Sequence, residues 1–174
     1  RPGSGKTSLA MNIAEHVGLR DHKSVLVFSM EMPRNQLLDR MISSVGEIPL
    51  SFLRNGKALG HPEFDRKITP AVDQIKNSKI FIDDRGGLGI QQIRVRARKL
   101  HKKHPLSLIV IDYLQLMRAK AESRVMEITM ISQALKALAK ELNIPVIALS
   151  QLSRKCEEQK REPISSDLRD SGSI

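Results

Sequence analysis

LSLIVIDY, residues 106–113, is apolar almost throughout and ends on a single acid, Asp112. A run this short, rich in Ile and Leu, reads as a strand and not a helix, and it has no polar side to turn toward water. Three further segments read the same way: SVLVFS (24–29), KIFID (79–83) and PVIALSQ (145–151). Between them lie helical patterns. Residues 5–17 follow a glycine-rich turn, and residues 34–45 follow Pro33, a residue suited to the first helical position. In IQQIRVRARKLHKK (90–103), Ile90, Ile93, Ala97 and Leu100 form one apolar stripe, while Arg94, Arg98 and Lys102 fall on another face. Over 127–142, Ile128, Ile131, Leu135, Leu138 and Leu142 recur at alternating steps of three and four. Strands buried on both faces and separated by helices predict an α/β fold, a mainly parallel sheet with helices on both sides. Residues 46–78 carry Gly, Pro and weak periodicity and give no clear helix; the polar stretch from 154 onward, broken by Pro163 and Gly172, reads as loop.

The 174 residues suffice for one domain with a sizeable core. Aromatic residues are 3% of the chain, with no Trp and one Tyr, so any grip on nucleic acid must rest on charge and backbone contacts more than on base stacking. Cys156 has no second cysteine to pair with, no Cys/His spacing suits zinc, and the thiol sits in a charged run, RKCEEQKR, where it reads as incidental. The apolar runs are strand-sized, no signal peptide is visible, and a cytoplasmic protein without a membrane segment is expected. The formal net charge of +10 fits either a basic solvated surface or a polyanionic partner.

RPGSGKTS (1–8) carries the pattern G-x-x-x-x-G-K-[ST] except for its first glycine. Gly3 and Gly5 let the backbone curl so that successive N–H groups face an anion, and the helix that begins there adds its positive end. Arg1, Pro2, Gly3, Ser4, Gly5, Lys6, Thr7 and Ser8 are therefore the expected ATP-binding loop, with Lys6 reaching the β- and γ-phosphates and the Thr7 hydroxyl binding Mg²⁺. A flexible turn before a helix is the plainer reading of the same residues.

Asp112 falls where a parallel strand ends, at the edge where open sheets bind ligands, and a carboxylate there can hold the Mg²⁺ shell. VLVFSMEMP ends another strand with Glu31 at the same edge, placed to orient an attacking water and take its proton; an acid opening a helix is its structural alternative. VIALSQLSR ends a third at Gln151, whose neutral amide can bond a phosphate oxygen without opposing its charge, or simply face solvent. Lys6, Glu31 and Gln151 are the expected catalytic side chains, Thr7 and Asp112 the metal ligands. Strand ends and one phosphate loop at a common edge point to nucleotide hydrolysis.

RPGSGKTS, AMNIA, FSMEMP, IDYLQLM, LKALAKELNIPVIALSQLSR and SDLRDSGSI follow one another in an order that resembles the C-terminal motor domain of the bacterial replicative DNA helicases, the DnaB family, over essentially the whole chain. Phage and plasmid relatives share these motifs. The resemblance implies a RecA-like P-loop ATPase, a homo-hexameric ring and ATP-driven movement on single-stranded DNA, with primase and a helicase loader as partners of the intact protein. It supports the roles of Lys6, Thr7, Asp112 and Glu31, and it makes Gln151 the link between γ-phosphate and DNA. The segment SDLRDSG would grip the DNA backbone, which marks Arg169, Asp170 and Gly172. Family members more often have Glu where Asp170 stands; a contact made through backbone N–H would tolerate the shorter acid. Asp167 and Asp170 also offer Arg169 a plain surface pairing. Arg118, Lys120 and Arg124, in the loop after the Asp112 strand, would face DNA or a neighbouring subunit.

The chain opens inside the phosphate-loop motif and closes at SGSI, so a fragment is expected, lacking the strand before the loop and the last strands of the domain. The resemblance adds to the missing parts an N-terminal domain and the arginine and lysine that reach a neighbour's ATP. Such a fragment alone would be unstable or weakly active. A recombinase or clock-type ATPase, and a non-catalytic nucleotide-binding module, are the competing readings; Glu31 speaks against the last, because a binding module has no use for a positioned base.

Overall fold

A computed structural model of the chain describes residues 5–55, 60–151 and 162. Its elements run α1 (Lys6–Glu15), a π-helical turn (His16–Arg20), β1 (Ser24–Ser29), α2 (Arg34–Val45), α3 (Leu50–Arg54), α4 (Pro62–Lys76), β2 (Ile80–Asp83), α5 (Ile90–Lys103), β3 (Leu106–Asp112), a 3₁₀ turn (Leu114–Leu116), α6 (Arg124–Leu142) and β4 (Val146–Ala148). The four strands form one parallel sheet in the order β2-β1-β3-β4.

β1 and β3 sit in the middle because they are apolar on both faces. Val25, Val27, Leu108 and Val110 face a core built with Ala10, Met11 and Ala14 of α1 and Leu37 and Met41 of α2. Leu26, Phe28, Ile109 and Ile111 face the opposite core, closed by Ile93 and Ala97 of α5 and Ile131, Leu135 and Leu138 of α6. Full burial of each such side chain contributes about 1.5–3 kcal/mol, so these two strands anchor both layers.

The strand and helix boundaries follow the sequence periodicity closely, with instructive differences. Pro33 is not the first helical residue but an extended N-cap, φ −65° and ψ 153°, with α2 beginning at Arg34. The first helix ends at Glu15 and passes into the π-helical turn, where a Cβ on Gly18 would lie 2.3 Å from Ile80 Cγ1; only glycine admits that approach to β2. The last helix begins at Arg124, three residues before the periodic stretch, because the Ser123 hydroxyl accepts from the Met126 N–H at 3.3 Å and caps it. β4 is shorter than its apolar run.

Residues 46–78 do hold helices. α4 starts with Pro62 in its first turn, has Glu63 and Asp65 there and Lys76 in its last turn, and so suits the helix dipole at both ends. Pro70 lies inside it, and only Ala71 is fully buried, so the core-facing stripe is thin. Glu15, 8% exposed between α1 and α2, accepts from the Ser44 hydroxyl at 2.8 Å; burial pushes its carboxyl above the usual range, and the Ser44 bond offsets this in part. None of the helices among the described residues is long and apolar enough to cross a membrane.

Candidate active site

The phosphate loop enters α1 through Gly5, whose backbone is left-handed at φ 82° and ψ 9°; open space surrounds the position a Cβ would take. Leu9 N–H donates to Gly5 O at 2.9 Å and starts the helix. The first turn holds no acid and no side-chain cap, so the N–H groups of Lys6, Thr7 and Ser8 present a positive helix end to an anion. Among the described residues no ion pair engages Lys6; its ammonium stands 5.5 Å from the centroid of the Tyr113 ring.

α1 meets the end of β3 at one bond: Thr7 Oγ1 donates to Asp112 Oδ2 at 2.7 Å. Asp112 is 3% exposed, and its Oδ1 is buried with no hydrogen-bond partner among the described residues. A buried carboxylate with one oxygen unpartnered is suited to a cation. The described residues contain no cluster of three or more His, Cys, Asp or Glu side chains fit to hold a metal. Mg²⁺ does not need one, since it typically takes one or two carboxylates and completes its shell with phosphate and water oxygens. Thr7 and Asp112 fit that pattern.

Glu31 reaches the same edge through β1. Ser29 is in register with Asp112, and Met30 N–H donates to Asp112 O at 2.8 Å, which carries the β1–β3 ladder one step beyond the strands. The Ser29 hydroxyl, fully buried, donates to Met32 O at 2.7 Å and closes the bend that presents Glu31 to solvent. Gln151 arrives from the other neighbour of β3. Past Ala148, Leu149 N–H donates to Ile111 O and Leu149 O accepts from Leu114 N–H, both at 2.9 Å, and the Gln115 side chain then meets Gln151 itself. Lys6, Thr7, Glu31, Asp112 and Gln151 therefore come from four elements to one edge of the sheet. Arg1, Pro2, Gly3 and Ser4, and also Arg169, Asp170 and Gly172, lie outside the described residues.

A DnaB-like helicase C-terminal domain pattern matches residues 1–174. The chain belongs to that family. It is 47% identical over 179 residues to the replicative DNA helicase DnaB of Haemophilus influenzae, covering 100% of this chain and 38% of the relative. It is 45% identical over 178 residues to the DnaB of Geobacillus stearothermophilus, again with all of this chain and 39% of the relative. The DnaB-like chain thus spans under half the length of these relatives. Among solved structures, it superposes on a DnaB-like replicative helicase described with its interactions with primase at a TM-score of 0.92 and 37% identity, covering 100% of this chain and 42% of that one. On a second solved structure, an ATPase domain, the TM-score is 0.91 at 37% identity, covering 99% of this chain and 62% of that one. The fold is the RecA-like ATPase fold, and the family is one of helicases, not of recombinases or clock-type ATPases.

Several side chains of the DnaB-like site were not legible in its motifs. Arg40 of α2 donates from Nη1 to Ser8 Oγ at 3.3 Å, and its Nε is buried with no hydrogen-bond partner among the described residues, which sets a guanidinium against the first turn of α1. Ser29 and Gln115 hold the backbone that carries Glu31 and Gln151. Each acts through a partner distant in the chain or on the main chain, and no spacing announces it. Arg124, expected in a loop facing DNA or a neighbour, instead opens α6 and pairs with Glu127 and Gln115 O. Burial favours the protonated form of Glu127, but the Ala119 N–H and the Arg124 guanidinium outweigh it and hold this carboxyl below the usual range. Arg98, on the basic face of α5, is engaged by Glu141 through two bonds of 2.6 Å.

Proposed function

We propose that this chain is the motor domain of a cytoplasmic replicative DNA helicase, in which ATP hydrolysis drives a homo-hexameric ring along single-stranded DNA and separates the duplex. The observation that carries this reading is the 2.7 Å bond from Thr7 to the buried Asp112, which joins the phosphate-loop helix to the strand-end acid beside Glu31 and Gln151 in a chain of this family.

In this reading the loop N–H groups and Lys6 bind the β- and γ-phosphates, and Thr7 and Asp112 hold Mg²⁺, which when bound neutralises charge on those oxygens. Glu31 orients a water and accepts its proton as the water oxygen bonds the γ-phosphorus. The bond from that phosphorus to the β–γ bridging oxygen breaks, and ADP and phosphate leave. Exposure at the bend after β1 gives Glu31 room to turn toward that water. Gln151 bonds the γ-phosphate while it is present and releases it afterwards, and the following segment carries this difference to Arg169, Asp170 and Gly172 on the DNA backbone. The longer protein engages primase and a helicase loader.

The test is ATPase and fork-unwinding activity of the intact parent chain, with and without single-stranded DNA, beside Glu31→Gln. The substitution is expected to keep nucleotide binding and to abolish both hydrolysis and unwinding. Unchanged turnover would refute the base assignment, and a wild-type parent that neither hydrolyses ATP nor unwinds DNA would refute the motor reading.

A further inference from the structure

Beyond Ala148 the ladder between β3 and β4 ends, yet the peptide of Gln151 is not left to solvent. The Gln115 side chain takes over. Its Nε2 donates to Gln151 O at 3.2 Å and to Ser150 Oγ at 2.8 Å, and its Oε1 accepts from the Gln151 N–H at 3.3 Å. One primary amide thus offers a donor and an acceptor to one residue's backbone, as a neighbouring strand would. Few side chains can do this. Glu lacks the donor, Leu lacks both groups, and Asn is one methylene short.

The other end of Gln115 is equally tied. It sits on the 3₁₀ turn that follows Asp112 and Tyr113, and its own C=O accepts from the Arg124 guanidinium. Arg124 pairs with Glu127, whose Oε1 accepts from the Ala119 N–H at 2.7 Å. Ion pair, turn and loop form one connected unit from Gln115 to the start of α6, bearing the exposed Arg118 and Lys120. Gln151, through the Gln115 side chain, and this loop, through the Gln115 carbonyl, are therefore tied to the same residue. The loop is tied as well to the start of α5, where Arg118 N–H donates to Leu88 O and Ile90 N–H to Arg118 O, each at 3.3 Å.

We propose that Gln115 is a positioning residue for Gln151: its amide clamps the end of β4 to the turn after Asp112 and so holds Gln151 in place for γ-phosphate contact. The role deepens the reading of Gln151 under Proposed function and rests on it. Gln115 itself touches neither nucleotide nor DNA in this role. Its loss leaves Gln151 present but loosely held, and a misplacement of about 1 Å in a positioned group can cost on the order of 100-fold in rate.

The experiment uses the intact parent helicase with Gln115→Leu, Gln151→Ala and the double variant, and measures the DNA-stimulated kcat and KM for ATP together with the thermal midpoint. Gln115→Leu is expected to lower DNA-stimulated kcat about ten-fold or more, with KM for ATP within about two-fold of wild type. Because Gln115 acts through Gln151, the double variant should be no slower than Gln151→Ala alone. Gln115→Glu, which keeps length and polarity but sets an oxygen against Gln151 O, should be impaired as Gln115→Leu is, and carries the test if the leucine variant does not fold. Wild-type kcat in either Gln115 variant beside an impaired Gln151→Ala overturns the positioning role alone, as does a double variant whose losses multiply. Wild-type DNA-stimulated turnover in Gln151→Ala overturns the underlying reading of Gln151.

Discussion

Replacing Asp112 by Asn separates the cost of a buried charge from its use. The carboxylate is 3% exposed, receives one hydrogen bond from Thr7 at 2.7 Å and leaves Oδ1 without a partner among the described residues. The asparagine oxygen can still accept from Thr7, while its NH₂ takes the place of the orphaned oxygen. A buried amide donor without an acceptor costs about 1–3 kcal/mol, and an underpaired buried carboxylate costs several. Without ligand, Asp112→Asn should therefore be no less stable than wild type. With ligand the order reverses. At a concentration about 100 times its Kd, Mg²⁺–nucleotide adds about 2.7 kcal/mol to a protein that binds it. For a domain of this size each kcal/mol moves the midpoint by about 2–4 °C, so the wild-type domain should gain roughly 5–11 °C. The assay is thermal unfolding of the parent chain, following this domain's transition with a non-hydrolysable ATP analogue, with Mg²⁺ and with EDTA. Asp112→Asn should lose the Mg²⁺-dependent part of the gain and keep the part that loop amides and Lys6 supply without metal. If the variant shows the full Mg²⁺-dependent gain, the carboxylate is not a metal ligand and the buried bond to Thr7 is only structural.

Three other expectations are independent of that one. Arg169→Ala should weaken single-stranded DNA binding about equally across sequences and reduce the salt slope by about one, as for a phosphate contact; an unchanged slope in a salt titration would place the grip elsewhere. Glu15→Gln keeps an acceptor for Ser44 and removes a carboxyl whose folded-state value is raised by burial. The folded wild type binds the proton more tightly than the unfolded chain, so its stability falls as pH rises through that raised value. The variant should match wild type in acid and exceed it progressively toward neutral pH in denaturant melts, and a constant difference would contradict the argument. Gly18→Ala should cost about 1–3 kcal/mol by driving a Cβ against Ile80, read as a lower denaturant midpoint with an unchanged slope.

Elements with a strong internal period could be read directly. α6 and α5 announce themselves by Ile128, Ile131, Leu135 and Leu138 and by Ile90, Ile93 and Ala97, because each stripe is buried against the sheet. The helices of 46–78 are hard to read from the sequence, and the burial of α4 shows why. Phe64, Ile68, Ala71 and Ile75 keep helical spacing, but Pro70 interrupts them and only Ala71 is fully buried, with Ile75 partly buried against the core, so the period is faint. Lys6, Thr7, Glu31, Asp112 and Gln151 were legible because each stands where an apolar run or a glycine turn stops. The roles given to Arg118, Lys120 and Arg124 were less so: a basic residue after a strand can serve DNA or an acid nearby, and Arg124 serves Glu127.

Hydrophobic period and turn chemistry act over a few residues, so the linear order of amino acids was enough to set the individual elements and the chemical groups at their ends. Which ends meet was left to the assembled fold. The order β2-β1-β3-β4 makes Asp112 a neighbour of both Ser29 and the segment leading to Gln151. It also brings Thr7 to Asp112 across 105 positions and the Gln115 amide to a peptide 36 positions away. Such contacts depend on how burial of both sheet faces fixes strand neighbours. That choice is made by the whole chain at once, and no stretch of it records the result.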